Sequence, residues 1–287
     1  MKILCCGVLA SLALPVLAGT AQAEVCRQTP VSASLPASSG PLTLDGAIVR
    51  AGSSSPEVLR AGLEARAAFA DADQAARPLN PSISFESENF AGSGDFRAFD
   101  AYETTLALEQ TFRLGGKRKR AARAARAEAL RARAECDVQR LDAQTLAGEL
   151  FLELRATMDM ADVAEASAEL AEEFETVVAK RVDAGASAPP ELARARAEAA
   201  SLRAIADRAR GEVEAVALAL ASVWGSSTVD FDLPARAMVL SGSEAPTAMT
   251  AMSDHPRIGA AEAEVAARQA ATEREKAGAW PDLTVSA

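Results

Sequence analysis

Two hydrophobic periods divide this chain into segments of different structure. Between residues 117 and 224, apolar residues recur every three or four positions, which is the period of an α-helix. Over residues 82–89 and 103–114 they alternate with polar residues, as in a strand that has one apolar and one wet face. A shorter helix pair at about 44–51 and 56–77 precedes the strands. The pattern predicts a mainly α chain with a small β part.

The two predicted strands share an apolar face and lead into a helix. Gln110 is the one polar residue on this face, and a glycine pair follows the second strand as a strand-to-helix turn. The apolar residues are Ile83, Phe85, Leu106, Leu108 and Phe112, and the turn is Gly115 and Gly116.

The helix after the turn is predicted to be long and to pair with a returning helix. It meets no proline until Pro189, so a continuous helix over 117–182 would be about 100 Å long. The returning segment, 190–224, keeps a 3.5-residue apolar period, which marks a coiled-coil seam. Its seam positions are Leu192, Ala195, Ala199, Leu202, Ala206, Ala209, Val213, Val216, Leu220 and Val223. We expect a long antiparallel helical hairpin.

The chain begins a second copy of its own plan. Pro56 and Pro81 recur as Pro256 and Pro281, an offset of 200 residues, and small residues between them match as well. Because Ala287 falls inside a strand of this plan, the sequence is interpreted as a piece of a longer protein, truncated in its second repeat. The predicted divisions are a signal peptide (1–23), a flexible leader (24–41), a first repeat (42–235, with a strand hairpin at 82–114 and a helical hairpin at 117–224), a connector (236–245) and the start of a second repeat (246–287).

Composition restricts the compartment and the partners. Lys2, an apolar stretch and Ala21-Gln22-Ala23 form a secretory signal, and its removal takes the formal net charge from −10 to −11. This acidity argues against nucleic acid as a partner. Only Cys26 and Cys136 survive processing, so no disulfide framework is expected. The position of Cys26 disfavours a lipid anchor and leaves it open.

No residue constellation supports catalysis, a cofactor or a metal site. The single histidine, His255, lies three residues after Met252 and six after Met249, a spacing that a soft metal could use. It also aligns with Ser55 before a helix-starting proline, so a helix cap is the preferred interpretation. A basic segment, 113–133, is interpreted as a solvated helix start near a membrane, with attraction of anionic headgroups as a secondary hypothesis.

These motifs resemble a known family. Residues 80–90 and 103–118 are similar to the first strand pair and strand-to-helix turn of TolC-family outer-membrane efflux proteins, in particular the CzcC-like heavy-metal branch. The resemblance implies a homotrimer with a shared outer-membrane β-barrel, a periplasmic coiled-coil tunnel, and contact with outer-membrane lipid. It also implies a periplasmic adaptor and an inner-membrane pump as partners, with RND-type export of heavy-metal cations or drugs. Arg181, Val182, Asp183 and Gly185 match the tip that docks the adaptor.

Two other function classes compete with the exit duct. A periplasmic adaptor also presents a long helical hairpin, but it flanks that hairpin with Gly-rich lipoyl-like halves, which this sequence lacks. A surface adhesin or structural coiled coil would explain the helices and leave the alternating strands unexplained. The sequence favours the duct.

Overall fold

The computed structural model describes Cys26 and residues 40–88, 103–234 and 255–287. The predicted signal peptide and connector, most of the leader, Met249 and Met252 lie outside these residues. Within them the chain forms five helices and three strands. The helices are α1 (Leu44–Ser54), α2 (Pro56–Ala75), α3 (Lys117–Asp183), α4 (Pro189–Ser222) and α5 (Pro256–Ala277), and the strands are β1 (Ser82–Glu88), β2 (Glu103–Phe112) and β3 (Leu283–Ser286).

Helix α3 is the axis of the structure and has 67 residues, whereas the returning α4 has 34. Helix α4 therefore covers only the half of α3 that is distant from the sheet. The other half packs against α1, α2 and α5. The sequence predicted a helical hairpin over 117–224, and α3 and α4 lie within those bounds. What the sequence did not predict is that α1, α2 and α5 cover the first half of α3.

The seam predicted for α4 is confirmed. All ten positions are buried or half-buried, and Leu220 is fully buried beside Ala147, Phe151 and Leu154 of α3. Four of the ten seam positions are alanine, which allows the two backbones to approach closely there. The apolar period thus reports the contact face of the helix.

A polar cluster joins the end of α4 to α1. The guanidinium of Arg50 pairs with Asp230 and lies 4.5 Å from the ring centroid of Trp224. The Trp224 indole N–H donates to the other Asp230 carboxylate oxygen at 3.1 Å. The backbone N–H of Leu42 donates to the Asp232 carbonyl at 3.0 Å. These bonds fix where the chain leaves the hairpin.

The sheet has the order β1-β2-β3, and both pairs are antiparallel. Ile83 lies opposite Leu108, Phe85 opposite Leu106, and Leu283 opposite Phe112. The repeat in the sequence is visible here, because β1 and β3 follow the two helices that begin at Pro56 and Pro256 and flank β2 on its two sides.

A disulfide corrects the sequence analysis. Cys26 and Cys136 are bonded across 110 residues, with their Cα atoms 5.6 Å apart. No disulfide framework was expected, because one cysteine lay in a leader and the other inside a long helix. Cys26 packs against the helical core, and Cys136 is fully buried.

Among the described residues, none of the helices has both the length and the apolar character needed to cross a membrane.

Candidate functional site

The sheet presents a continuous apolar face that no described residue covers. Residues opposite each other in an antiparallel pair point to the same side, so the register places the predicted strand residues on one face. The exposed fractions are 74% for Ile83, 68% for Phe85, 69% for Leu106, 50% for Leu108 and 49% for Phe112, with Leu283 and Val285 beside them at 51% and 52%. An exposed apolar patch of this kind marks an interaction surface.

Gln110, the polar member of this face, is satisfied locally. Its side-chain amide donates to the Leu79 carbonyl at 3.1 Å and to the Thr111 carbonyl at 3.2 Å. Since these bonds end on backbone carbonyls, the amide N–H groups of this residue do not require water. The face can therefore lie against an apolar medium despite the glutamine.

The opposite face of the sheet is polar and acidic. The register places Ser82 opposite Glu109, Thr105 opposite Glu86 and Glu88 opposite Glu103. Glu86, Glu88, Glu103 and Glu109 thus share one side, and Thr111 and Thr284 bridge β2 and β3 there through a hydroxyl contact of 3.1 Å. The two faces differ sharply in polarity, as expected where one side meets an apolar medium and the other meets water.

The strand-to-helix turn depends on both glycines and on a tryptophan that sequence reasoning missed. Gly115 and Gly116 have φ values of 64° and 74°, in the left-handed region. A Cβ on Gly115 would collide with the side chain of Trp280, whereas Gly116 has only the end of Arg120 nearby. Lys117 pairs with Asp282 at 2.9 Å, which ties the start of α3 to the start of β3. The offset of 200 aligns Trp280 with Asn80, so it gave no signal for this contact.

The predicted tip residues form a Schellman motif at the end of α3. The Ala186 N–H donates to the Arg181 carbonyl at 2.8 Å and the Gly185 N–H to the Val182 carbonyl at 2.9 Å. Gly185 has a φ of 69°, which this motif requires. Arg181, Asp183 and Gly185 are exposed and Val182 is half-buried. The turn therefore has a structural explanation that leaves its exposed charges available for contact.

A groove of about 400 Å³ lies beside the tip, between the end of α3 and the start of α4. Of the predicted tip residues, only Arg181 lines it. Sequence reasoning missed Phe174 and Val177, which line it with exposed fractions of 60% and 53%. The sequence did contain a signal for these two residues, because they are apolar residues on a helix that is otherwise charged near its end. The remaining lining residues are Val178, Ser187, Glu191, Arg194, Ala195 and Glu198.

Ion pairs hold α4 against α3 between the tip and the core. Arg203 donates to Glu165 at 2.7 Å and to Glu172 at 2.9 Å, and Arg210 also pairs with Glu165. The hydrogen bond from Arg203, followed by the charge of Arg210, lowers the pKa of the Glu165 carboxyl below its ordinary value. These links run from helix to helix and set the antiparallel register of the hairpin.

His255 caps α5. Its Nδ1 accepts a hydrogen bond from the Arg257 N–H at 3.2 Å. This matches the interpretation of His255 as a helix cap. Ser55, its counterpart, makes no side-chain cap bond and instead donates to Glu57 at 2.7 Å. In the described part of the chain, no three His, Cys, Asp or Glu side chains converge in a way that could hold a metal ion.

Comparison with known proteins agrees with this arrangement. The cobalt-zinc-cadmium resistance protein CzcC of Cupriavidus metallidurans is 26% identical over 249 residues, which is 86% of this chain and 58% of the relative. The chain thus spans less than two thirds of that relative's length.

Solved structures share the fold. The outer membrane protein VceC of Vibrio cholerae superposes with a TM-score of 0.64 at 21% identity, over 85% of this chain and 61% of VceC. The CmeC outer membrane channel of Campylobacter jejuni gives a TM-score of 0.68 at 17% identity, over 85% of this chain and 55% of CmeC. The predicted fold class is confirmed. Because the family of outer membrane efflux proteins matches residues 47–226, more than half of the chain, the protein belongs to that family.

Proposed function

We propose that this chain is a subunit of an outer-membrane exit duct in a tripartite efflux system. The observation that carries the proposal is the continuity from an amphipathic sheet, through the Gly115-Gly116 turn, into a helix of 67 residues. A sheet with one exposed apolar face suits lipid, and a charged helix of this length suits an aqueous compartment. The protein is located in the outer membrane, with its helices in the periplasm.

The sheet supports a shared barrel. In the described residues, β1 and β3 each have one edge without a strand partner. Open edges are not tolerated in lipid, because their backbone groups would stay unpaired. We infer that further strands, from the rest of the subunit and from two other copies, close the barrel of a homotrimer. The apolar face would then contact outer-membrane lipid and the acidic face would line the interior.

The acidic face favours a cationic substrate. The proposed interior side of the sheet carries Glu86, Glu88, Glu103 and Glu109. The carboxylates of all subunits would together form a ring that favours cations over anions. The relative CzcC is a cobalt-zinc-cadmium resistance protein. We therefore propose heavy-metal cations as the exported class, with drugs as the alternative. The duct is passive, so no enzymatic step is proposed.

Metal tolerance tests this function directly. The gene is deleted in its native host, and growth is measured across a series of zinc, cobalt and cadmium concentrations and across a series of hydrophobic drugs. We expect the deletion to lower metal tolerance at least several-fold and the full-length gene to restore it. A loss of drug tolerance alone would assign the duct to drugs, and unchanged tolerance to both would contradict the proposal.

We further propose that the tip docks a periplasmic adaptor, which would connect the duct to an inner-membrane pump. The exposed charges of Arg181 and Asp183 and the apolar wall formed by Phe174 and Val177 together offer a surface that a helical partner could contact. We disfavour the alternative that this chain is itself a periplasmic adaptor, because the amphipathic sheet would then have no explanation.

Charge reversal tests the docking surface. The double variant Arg181→Glu and Asp183→Arg should reduce crosslinking to the adaptor at least several-fold while the trimer still assembles. Arg208→Glu with Glu212→Arg is the matched control, because this pair is 3.1 Å apart, exposed and remote from the tip. Equal crosslinking in both variants would contradict the docking proposal.

A further inference from the structure

We propose that the disulfide between Cys26 and Cys136, rather than a lipid chain on Cys26, fastens the N-terminal leader of the mature protein. This inference needs only that the chain is exported and does not rest on the exit-duct proposal. The two attachments exclude each other, because Sγ of Cys26 cannot form both a disulfide and a thioether to a lipid.

The surroundings of the two cysteines favour the disulfide. Cys136 is fully buried on α3, at the contact with α2, where Val58 is fully buried as well. Cys26 is half-buried and packs against the same apolar core. The Cα separation of 5.6 Å lies within the range that a disulfide spans.

Within this sequence, Cys26 and Cys136 are the two cysteines outside the predicted signal peptide. The chain has four cysteines, and Cys5 and Cys6 lie in the signal peptide that export removes. The compartment that an exported bacterial chain enters is oxidising, where a disulfide forms and persists. The disulfide is therefore supported by the contact between the two cysteines and by the oxidising compartment.

The bond between Cys26 and Cys136 forms by thiol–disulfide exchange with a disulfide-bearing oxidase. The thiolate of one cysteine attacks the disulfide of the oxidase and forms a mixed disulfide, and the second thiolate then displaces the oxidase. The two cysteines lose two electrons and two protons in total, and the oxidase disulfide is reduced to two thiols. No other reactant is needed.

The position of Cys136 separates this attachment from a lipid anchor. Cys136 lies 19 positions after Lys117 on α3, so at about 1.5 Å per residue it is about 30 Å from the turn at the sheet. A lipidated Cys26 would instead lie at the membrane surface, beside the apolar sheet face. The disulfide holds the start of the mature chain on the periplasmic helices, and its closed loop includes α1, α2, β1 and β2.

Peptide mapping without reductant tests the proposal on the natural protein. The full-length product of the native gene is purified from outer membranes, alkylated under denaturing conditions and digested with trypsin. Cleavage after Arg27, Arg133 and Arg140 should give residues 24–27 linked to residues 134–140, with a mass lower by two hydrogens than the sum of the peptides. Reduction should release both. Two alkylated peptides without reduction, or a diacylglyceryl group on Cys26, would overturn the proposal.

Variants test the link by a second route. Cys26→Ser and Cys136→Ser should lower the thermal midpoint of the helices by the same amount, about 5–10 °C, and the double variant should fall no further. Reductant should shift the wild type and leave the double variant unchanged, which is the internal control. If mass spectrometry found a diacylglyceryl group on the wild type and on Cys136→Ser that was absent from Cys26→Ser, the lipid alternative would hold and the proposal would fail.

Discussion

At the scale of single residues, the strand-to-helix turn is where the addition of one Cβ atom should strongly affect stability. Gly115 and Gly116 share a left-handed conformation, but only Gly115 lies against the Trp280 side chain. Two glycines with the same backbone requirement therefore differ in the space around them. This difference separates the conformational cost of a substitution from its packing cost.

We expect Gly115→Ala to be more damaging than Gly116→Ala. A left-handed alanine costs about 1 kcal/mol, which corresponds to about 2–4 °C in thermal midpoint, and Gly116→Ala should show that loss alone. Gly115→Ala adds the collision with Trp280 and should lose at least twice as much. The measurement is thermal unfolding of the detergent-solubilised protein by circular dichroism.

Two further variants check this argument. Trp280→Gly combined with Gly115→Ala should recover part of the loss, because it removes the Cβ, Cγ and Cδ1 atoms of Trp280 that would collide with the new Cβ. Gly211→Ala in α4 is the control, since nothing lies within 4 Å of its Cβ position; it should stabilise the helix slightly. Equal losses at Gly115 and Gly116 would refute the role of Trp280.

At the scale of secondary-structure elements, periodicity predicted what packs locally and missed what packs at a distance. The seam of α4 was predictable, because an apolar period reports the buried face of a helix whichever partner covers it. The packing of α1, α2 and α5 on the first half of α3 was not predictable, because these helices come from distant parts of the chain. The disulfide was missed for the same reason, since 110 residues separate its cysteines and leave no local pattern.

The residues of the candidate site likewise fall into those that the sequence predicted and those that it missed. Alternation alone placed Ile83, Phe85, Leu106, Leu108 and Phe112 on one face, and the register of the sheet agrees. The groove beside the tip requires knowledge of how α3 and α4 lie together, so Phe174 and Val177 were missed. Trp280 was missed because its counterpart in the first repeat, Asn80, is polar.

The α3–α4 hairpin should lose stability at acidic pH through Glu165. Its carboxyl pKa is lowered, first by the hydrogen bond from Arg203 and then by the charge of Arg210. The carboxylate therefore contributes stability above its unfolded pKa, near 4.5, and this contribution is lost as the pH falls through the lower folded value. Exposed ion pairs contribute little individually, so we expect a shift of only a few degrees.

Glu165→Gln tests this pH dependence. The thermal midpoint of the variant, followed at helix wavelengths, should be below that of the wild type at pH 7 and should approach it as the pH falls below about 4. Glu212→Gln serves as the control, because Glu212 pairs with Arg208 of the same helix and does not join α4 to α3. A constant difference between Glu165→Gln and the wild type at all pH values would contradict the assignment.

At the scale of the whole molecule, the two faces of the sheet define how the protein sits between lipid and water. Leu106 and Thr105 are neighbours on β2, yet their side chains point to opposite faces. Leu106 is 69% exposed in the isolated chain; an apolar face exposed in this way is an interaction surface, and we propose that lipid covers it. The carboxylates on the Thr105 side would then face the proposed water-filled interior.

Arginine placed on each face in turn tests this orientation. Leu106→Arg puts a charge on the lipid side, which costs about 2–4 kcal/mol near the middle of the membrane, so the fraction of protein recovered as folded trimer should fall by at least tenfold. Thr105→Arg, one residue away on the same strand, places the same side chain in water near Glu86 and should assemble normally. Recovery is measured as heat-sensitive trimer in detergent extracts of outer membranes. If the two variants assembled equally well, the Leu106 face would not meet lipid; if only Thr105→Arg failed, the sheet would be oriented the opposite way.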